Sequence, residues 1–466
     1  MRIEKDFLGE MKLSSDVYYG IQTMRSIINF PISGKTIEGY PYLMKSLAYI
    51  KKAAALSNFE VGELAASLKD AIITAADEMI DGKFKNQFPV DIYQGGGGLS
   101  INMNVNEVLA NRANEIITGN KGYTHVHPNE HVNMSQSTND VLPSAMKLAC
   151  FFYMQDLINC LTQFEKTLQH KEDEFQLLVK VSRTCLQDAL PITFGQQFSA
   201  YRSFIARQIN ELKRLQEGCL QLVIGATAVG TGLGASTDYV EGMYRNLYDV
   251  TGLTVRKVEN YFDGLQHADE YVRISSCLKG LCTGLSKMAS DFRILSSGPI
   301  AGLGEIELPA VQSGSSIMPG KINPCIPEMM MQVCFDIYGK DQAITFAADR
   351  GELELNIWEA IIMKNLFEQF SLLIASIPVF REKCVAGVQV KKEINQLRAE
   401  SSYALSVAIS KQFSYEIANE IVAEAQSKKT TVKQIVVEKG LLSVDEAEKL
   451  LDPIHLTSLS RSLPSL

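Results

Sequence analysis

The run Gly314-Ser315-Ser316-Ile317-Met318-Pro319-Gly320-Lys321-Ile322-Asn323-Pro324 is the most informative stretch of the chain. Two glycines and two prolines so close together make a regular helix or strand implausible. A loop of this composition can offer successive backbone N–H groups, two hydroxyls, an ammonium and an amide to one small anion. A surface turn is the plain alternative for any Gly/Ser/Pro loop, and the composition alone does not choose between the two.

Three more stretches carry polar groups in loop-like settings. They are His131-Val132-Asn133-Met134-Ser135-Gln136-Ser137-Thr138-Asn139-Asp140, then Thr184-Cys185-Leu186-Gln187-Asp188-Ala189, and then Gly225-Ala226-Thr227-Ala228-Val229-Gly230-Thr231-Gly232. The first run matches the signature Gly-Ser-Ser-x-Met-Pro-x-Lys-x-Asn-Pro of the aspartase/fumarase superfamily at every specified position. The other stretches resemble that superfamily's remaining signature regions in order and spacing, and the resemblance covers nearly the whole chain. Within the superfamily the closer likeness is to aspartate ammonia-lyases. Asp16–Thr23, Gln87–Gly96 and Glu307–Gln312 carry it, together with Thr138, where fumarases usually have a second serine.

The resemblance implies a reaction. A proton on the carbon beside a carboxylate is weakly acidic, and its removal makes a dianionic enediolate, so catalysis rests on donors preorganised around the developing charge. It further implies Ser315 as the base, acting as an alkoxide in a loop that closes over the substrate. Lys321 and Asn323, with Thr184, would clamp a substrate carboxylate. Ser316 would donate to the enediolate, Ser137 and Thr138 would supply further donors, and Asn139 would orient the leaving amine or hydroxyl. No cofactor or metal is called for. The family's subunits form a homotetramer around long helices, and each active site draws its three signature regions from three different chains.

Two departures fall at the expected site. Aspartases and fumarases place a threonine after the small residues of the Gly95–Gly98 loop, and here that residue is Leu99. Losing a hydrogen bond to a charged group costs about 1.5–3 kcal/mol, and a leucine also brings desolvation toward a carboxylate. Fumarases and some aspartases carry a histidine where this chain has Cys185, paired with a glutamate corresponding to Glu328. A thiol cannot replace imidazole as a proton shuttle near pH 7 unless its pKa falls well below about 8.5. Cys185 as a small neutral lining residue is therefore the expectation. His127-Pro128-Asn129-Glu130 resembles a secondary anion site of fumarases, with a simple turn as the alternative.

These residues need elements to position them. From Ser144 to Leu190 there is neither glycine nor proline, which permits a helix far longer than the usual ~11–12 residues. Phe198, Tyr201, Ile205, Ile209, Leu212 and Leu215 recur at three- and four-residue steps, predicting a helix over about 197–222. Further helices are expected near 40–57, 65–81, 103–117, 269–296, 325–348 and 355–386. Several long helices and few strand signals predict an all-α fold, a three-part helical subunit whose central long-helix bundle forms the tetramer core. The parts are 1–140 with the Gly-rich and Ser-Thr-Asn loops, 141–392 with the Gly-Ser-Ser loop, and 393–466, a small helical end.

Composition narrows the partners. Net charge is −8 with both signs mixed along the chain, and no basic run or aromatic-basic platform appears, which excludes a nucleic-acid partner. Charge in Met1–Asp6 and the lack of an ~18-residue apolar run predict no leader and no membrane span. Nine cysteines without a Cys-x-x-Cys read as reduced core thiols of a cytoplasmic protein. Three readings result: an ammonia-lyase turning L-aspartate into fumarate and ammonia; a lyase of the same mechanism acting on another or an N-substituted succinate, favoured by Leu99; and a catalytically silent scaffold or ligand-binding homologue, disfavoured by intact Ser315, Lys321 and Asn323. Cys185 makes fumarase-type water addition the weakest option.

Overall fold

The computed structural model describes residues 1–458, so the end of the 393–466 part, residues 459–466, lies outside the described residues. The chain opens with a hairpin, β1 (Arg2–Asp6) and β2 (Gly9–Leu13), followed by α1 (Ile21–Asn29), α2 (Pro41–Glu60), α3 (Ala66–Ile80) and α4 (Leu99–Thr118). The long α5 (Thr138–Glu174) leads to a second hairpin, β3 (Val179–Thr184) and β4 (Gln187–Thr193), and then to α6 (Phe194–Gly218). After β5 (Gln221–Leu222) come α7 (Thr237–Thr251), β6 (Arg256–Lys257), α8 (Tyr261–Gln266) and α9 (Asp269–Leu295). The strand β7 (Ile306–Glu307) precedes α10 (Cys325–Asp349) and α11 (Glu359–Lys383), and β8 (Gln389–Val390) precedes six short helices, the last of them Pro453–Leu456. The fold is predominantly helical, as the periodicity predicts, and the strands form only two-stranded pairs.

The Gly/Pro-free stretch departs from a single helix. α5 ends at Glu174, and the chain reverses through the β3–β4 hairpin before α6 begins. Val179 and Val181 bury one face of β3, an alternation too short to stand out beside the long helical pattern.

The residues group into two compact units, each drawn from three chain segments: 1–159, 210–280 and 335–374 in the first, 160–209, 281–334 and 375–466 in the second. Five helices, α5, α6, α9, α10 and α11, contribute residues to both. In the first unit α2 lies against α3 and α7, burying Leu43, Leu47, Ile50 and Ala54. α4 is unusual in burying Asn102, Asn104, Asn106, Glu107, Asn111 and Asn114. Buried polar groups are mostly hydrogen-bonded, and the amide nitrogens of these asparagines and the Glu107 carboxylate bind the segments around them. The Glu107 carboxylate accepts the N–H groups of Gly20, Gln22 and Thr23 at the start of α1 (2.8, 2.8 and 3.1 Å), and Asn114 donates to the Val126 carbonyl at 2.6 Å.

In the second unit Phe175, Phe198, Tyr201, Phe292 and Phe380 form a linked aromatic core. The end of the chain has its own cluster around Leu405, Ile409, Ile421, Ile435 and Leu450, with capping boxes at Thr431/Gln434 and Ser443/Glu446 starting two of its helices. α11 is long and apolar enough to cross a membrane by composition, yet Ile362, Met363, Leu366, Phe367, Phe370, Leu373 and Ile377 along it are all buried in the protein.

Candidate active site

In the first unit the glycine-rich loop is anchored from behind. The Asp91 carboxylate accepts N–H groups from Ser33, Gly34 and Tyr93 (2.7, 2.9 and 2.8 Å). Gly98, at φ +76°, lies so close to Leu142 of α5 that a Cβ there would sit 2.0 Å from the leucine Cδ2. Only glycine allows that approach. Leu99 follows as the first residue of α4, 49% exposed, at a helix start with no side-chain cap.

Ser137, Thr138 and Asn139 are half-buried around the start of α5. The fully buried Asp140 holds them: its carboxylate accepts from the N–H groups of Ser137 (3.0 Å), Gly225 (3.1 Å) and Thr227 (3.0 Å), which ties the Ser-Thr-Asn stretch to the later glycine-rich stretch. Burial pushes this carboxyl up to about 6. Thr138 Oγ1 accepts from Asn102 Nδ2 at 3.0 Å, and Ser137 Oγ accepts from the Asn139 N–H at 3.2 Å. A hydroxyl that accepts within the protein keeps its own proton to give. Asn139 donates Nδ2 to the Ala228 carbonyl at 2.7 Å, which turns Oδ1 into its free, accepting end.

In the second unit the Gly314–Pro324 loop closes on itself. Gly314 N–H donates to the Lys321 carbonyl (2.8 Å) and Asn323 Nδ2 to the Gly314 carbonyl (2.9 Å). A Cβ on Gly314 would come within 2.7 Å of the Asn323 nitrogen and the Lys321 oxygen, so this neck also needs glycine. Inside the loop Ser315 Oγ accepts N–H groups from Ile317 (3.2 Å) and Met318 (3.0 Å). Ser316 and Lys321 are exposed, and Lys321 makes no ion pair among the described residues. Glu328 lies 3.8 Å from Arg293.

Thr184 and Cys185 stand at the tip of the β3–β4 hairpin. Thr184 pairs with Gln187, leaving Cys185 (φ 54°) and Leu186 (φ 61°) as a two-residue turn. Such turns favour Asn-Gly because both positions are left-handed. The hairpin is fixed along β3, where Lys180 near its base (3.2 Å) and Arg183 beside its tip both pair with Glu305, which is 1% exposed. Among the described residues no hydrogen bond joins Thr184 or Cys185 to the 314–324 loop. His127 caps a one-turn helix (Pro128–Val132) instead of sitting in a simple turn: its ring nitrogen accepts the N–H groups of Asn129 and Glu130, each at 3.3 Å, and so occupies the donors an anion would need.

Sequence reasoning missed the support behind Thr138. Lys51 of α2 is wholly buried and donates to Asn133 Oδ1 (3.1 Å) and Gln136 Oε1 (3.0 Å). The available signal was its place four residues after Leu47 and four before Ala55, on the buried stripe of an amphipathic helix.

Comparison with known proteins places the chain in a family. Residues 9–339 match the Lyase family and residues 410–458 the fumarase C C-terminus. An aspartate ammonia-lyase from Bacillus sp is 43% identical over 458 residues, covering 98% of this chain and 97% of that one. A structure of a fumarate lyase:delta crystallin from Brucella melitensis bound to cobalt superposes with a TM-score of 0.96 at 39% identity, over 98% of this chain and 99% of that one. A class II fumarase from Schistosoma mansoni gives 0.95 at 34% identity, over 99% and 100%. With likeness in sequence and fold along almost its whole length, the chain belongs to the aspartase/fumarase superfamily and is a carbon–nitrogen lyase of the aspartate ammonia-lyase kind.

Proposed function

We propose that the chain converts L-aspartate to fumarate and ammonia with Ser315 as the base. The observation that carries this reading is the pair of N–H groups, from Ile317 and Met318, aimed at Ser315 Oγ. Hydrogen bonds to a charged form favour that form. Two such bonds, at about 1.5–3 kcal/mol each to a charged oxygen, stabilise the alkoxide and draw the serine's pKa down. That is too little alone. The rest comes from the Lys321 ammonium and from excluding water when the loop closes over substrate.

In the step itself, the Ser315 alkoxide takes the proton from the carbon beside a carboxylate, and the C–H pair becomes the enediolate. The protons of Ser137, Thr138 and Ser316 face the oxygens that gain charge, while Lys321, Asn323 and Thr184 hold the substrate's carboxylates. The enediolate then collapses to the double bond, and the C–N pair leaves on nitrogen as ammonia. Asn139 Oδ1, left free by the bond to Ala228, accepts from the departing amine. Glu328 supports the loop from the first turn of α10, and Cys185 lines the site as a neutral neighbour.

The same proposal takes the enzyme as a cytoplasmic homotetramer of three-part subunits (1–140, 141–392 and 393–466) with each site shared by three chains. Phe335 and Phe346 of α10, 54% and 61% exposed, are apolar rings that a neighbouring subunit would cover. Leu99 supports one second reading, a succinate derivative carrying a less polar group where aspartate has a carboxylate contact.

Ser315→Ala tests the central claim. Following fumarate by its ultraviolet absorbance, kcat should fall by about 10²–10⁴ with KM little changed. Undiminished turnover would remove Ser315 as the base.

A further inference from the structure

We propose that Lys51 is a positioning residue for substrate binding, setting the direction of the hydrogen bonds that reach Thr138 through Asn133 and Asn102. The inference rests on the reading that Ser137, Thr138 and Asn139 contact the substrate.

The geometry is a chain of amides with one source of polarity. As an ammonium Lys51 can only donate, and the oxygens of Asn133 and Gln136 both turn toward it. Their nitrogens are then committed outward. Asn133 Nδ2 donates to the Gln136 carbonyl (3.1 Å), and Gln136 Nε2 donates to the carbonyls of Val132 and Met134 (both 3.0 Å). The same Asn133 oxygen collects Asn102 Nδ2 (3.0 Å) and Asn106 Nδ2 (3.1 Å) from α4. Asn102 Nδ2 also donates to Thr138 Oγ1, which leaves the threonine proton free for an anion.

A second residue of α2 braces the same segment. Ser135 takes a left-handed φ of 60°, and Asn58 holds it there, accepting from Ser135 Oγ (2.9 Å) and donating to the Met134 carbonyl (3.1 Å). Asn58 lies two helical turns after Lys51, on the same stripe of α2. A methylene stem alone would fill the space of Lys51, but would leave Asn133 and Gln136 free to flip. A flip of Asn133 points a donor where Asn102 needs an acceptor, and Thr138 loses its orientation; a flip of Gln136 gives up its bonds to the Val132 and Met134 carbonyls, which hold the same segment. Burial draws the Lys51 amine down to about 7, against the pull of Asp140, so even its neutral form keeps the two N–H groups this role requires.

Lys51→Met tests this in the intact oligomer, since it keeps the stem and removes the amine. The expected result is a KM for aspartate raised about tenfold or more, with kcat changed less. Gln136→Leu should move KM the same way by a smaller factor, and it carries the test if Lys51→Met does not fold. A merely structural lysine would lower the active fraction and the melting temperature while leaving the KM of the remaining enzyme as it was, and that outcome overturns the proposal. Thr138→Val separates the two levels. If it raises KM while Lys51→Met and Gln136→Leu do not, only the role of Lys51 fails. If Thr138→Val and Ser137→Ala both leave KM unchanged, the underlying assignment fails with it.

Discussion

Asn139 Nδ2 donates to the Ala228 carbonyl at 2.7 Å, and this single bond leaves Oδ1 as the open end of the amide. The free oxygen suits an amine, not a carboxylate. Asn139→Ala should therefore act on the nitrogen side of the reaction. In the reverse direction, fumarate plus ammonia, the KM for ammonia should rise about tenfold or more while the KM for fumarate stays near its starting value. An equal rise in both would place Asn139 at a carboxylate instead.

Leu99→Thr addresses the departure at the start of α4. Restoring one hydrogen bond to a charged group should raise kcat/KM for aspartate by roughly 10- to 150-fold, the equivalent of about 1.5–3 kcal/mol. A panel of succinate derivatives gives the converse. If the natural substrate is less polar at that contact, the threonine variant should lose activity on it as it gains on aspartate. No change on any substrate would show that position 99 does not face the ligand.

The hairpin carrying Thr184 holds Leu186 at φ 61° with its side chain 74% exposed. A left-handed backbone costs an L-residue about 1–2 kcal/mol, and glycine returns roughly 0.5–1 kcal/mol of that through the flexibility of the unfolded chain. Leu186→Gly should stabilise the protein by about 0.5–1 kcal/mol net, read as a higher urea midpoint at unchanged slope. A lower midpoint would mean that the leucine is covered in the assembled enzyme.

Glu359 gives a prediction in pH. Burial pushes its carboxyl from 4.5 up to about 8, and one of its oxygens has no hydrogen-bond partner. The folded chain thus holds a proton that the unfolded chain releases. The stabilisation is complete below pH 4.5 and is lost as pH rises toward 8. Glu359→Gln cannot ionise, so its melting temperature should gain on the parent between pH 5 and 8.5, by at most a few kcal/mol in free energy. Asp140 and Glu107, raised to about 6 and 7, act alike in both proteins and cancel. A pH-independent difference would show Glu359 to be charged when folded.

Helices were the legible part of this sequence because their signal is spread over many residues. The expected 269–296 helix is Asp269–Leu295, and the expected 325–348 helix is Cys325–Asp349. The β3–β4 hairpin was hidden for a local reason. Its turn is Cys185-Leu186, with neither glycine nor asparagine to mark two left-handed residues, and Pro191 sits within β4 opposite Val181. The loops around Ser137 and Ser315 could be read from their polar and Gly/Pro content. Their internal wiring could not. Lys51 shares the stripe of Leu47 and Ala55 and Lys52 does not, which marks the first for burial, but that Lys51 meets Asn133 and Gln136 while Lys52 meets Asp77 nearer the surface is written only in the fold.

Because each compact unit is stitched from three distant stretches, neither can be finished early in synthesis. The first unit lacks its last strip until residue 374 has emerged, and the second needs the very end of the described chain. Domains ordinarily fold in order as they leave the ribosome. Here the first unit must wait, with α2 and α4 made long before the residues of α11 that belong to the same unit. A nascent chain should therefore keep apolar surface exposed until late in synthesis, and cutting the gene between α9 and α10, which splits both units, should produce insoluble fragments instead of two working halves.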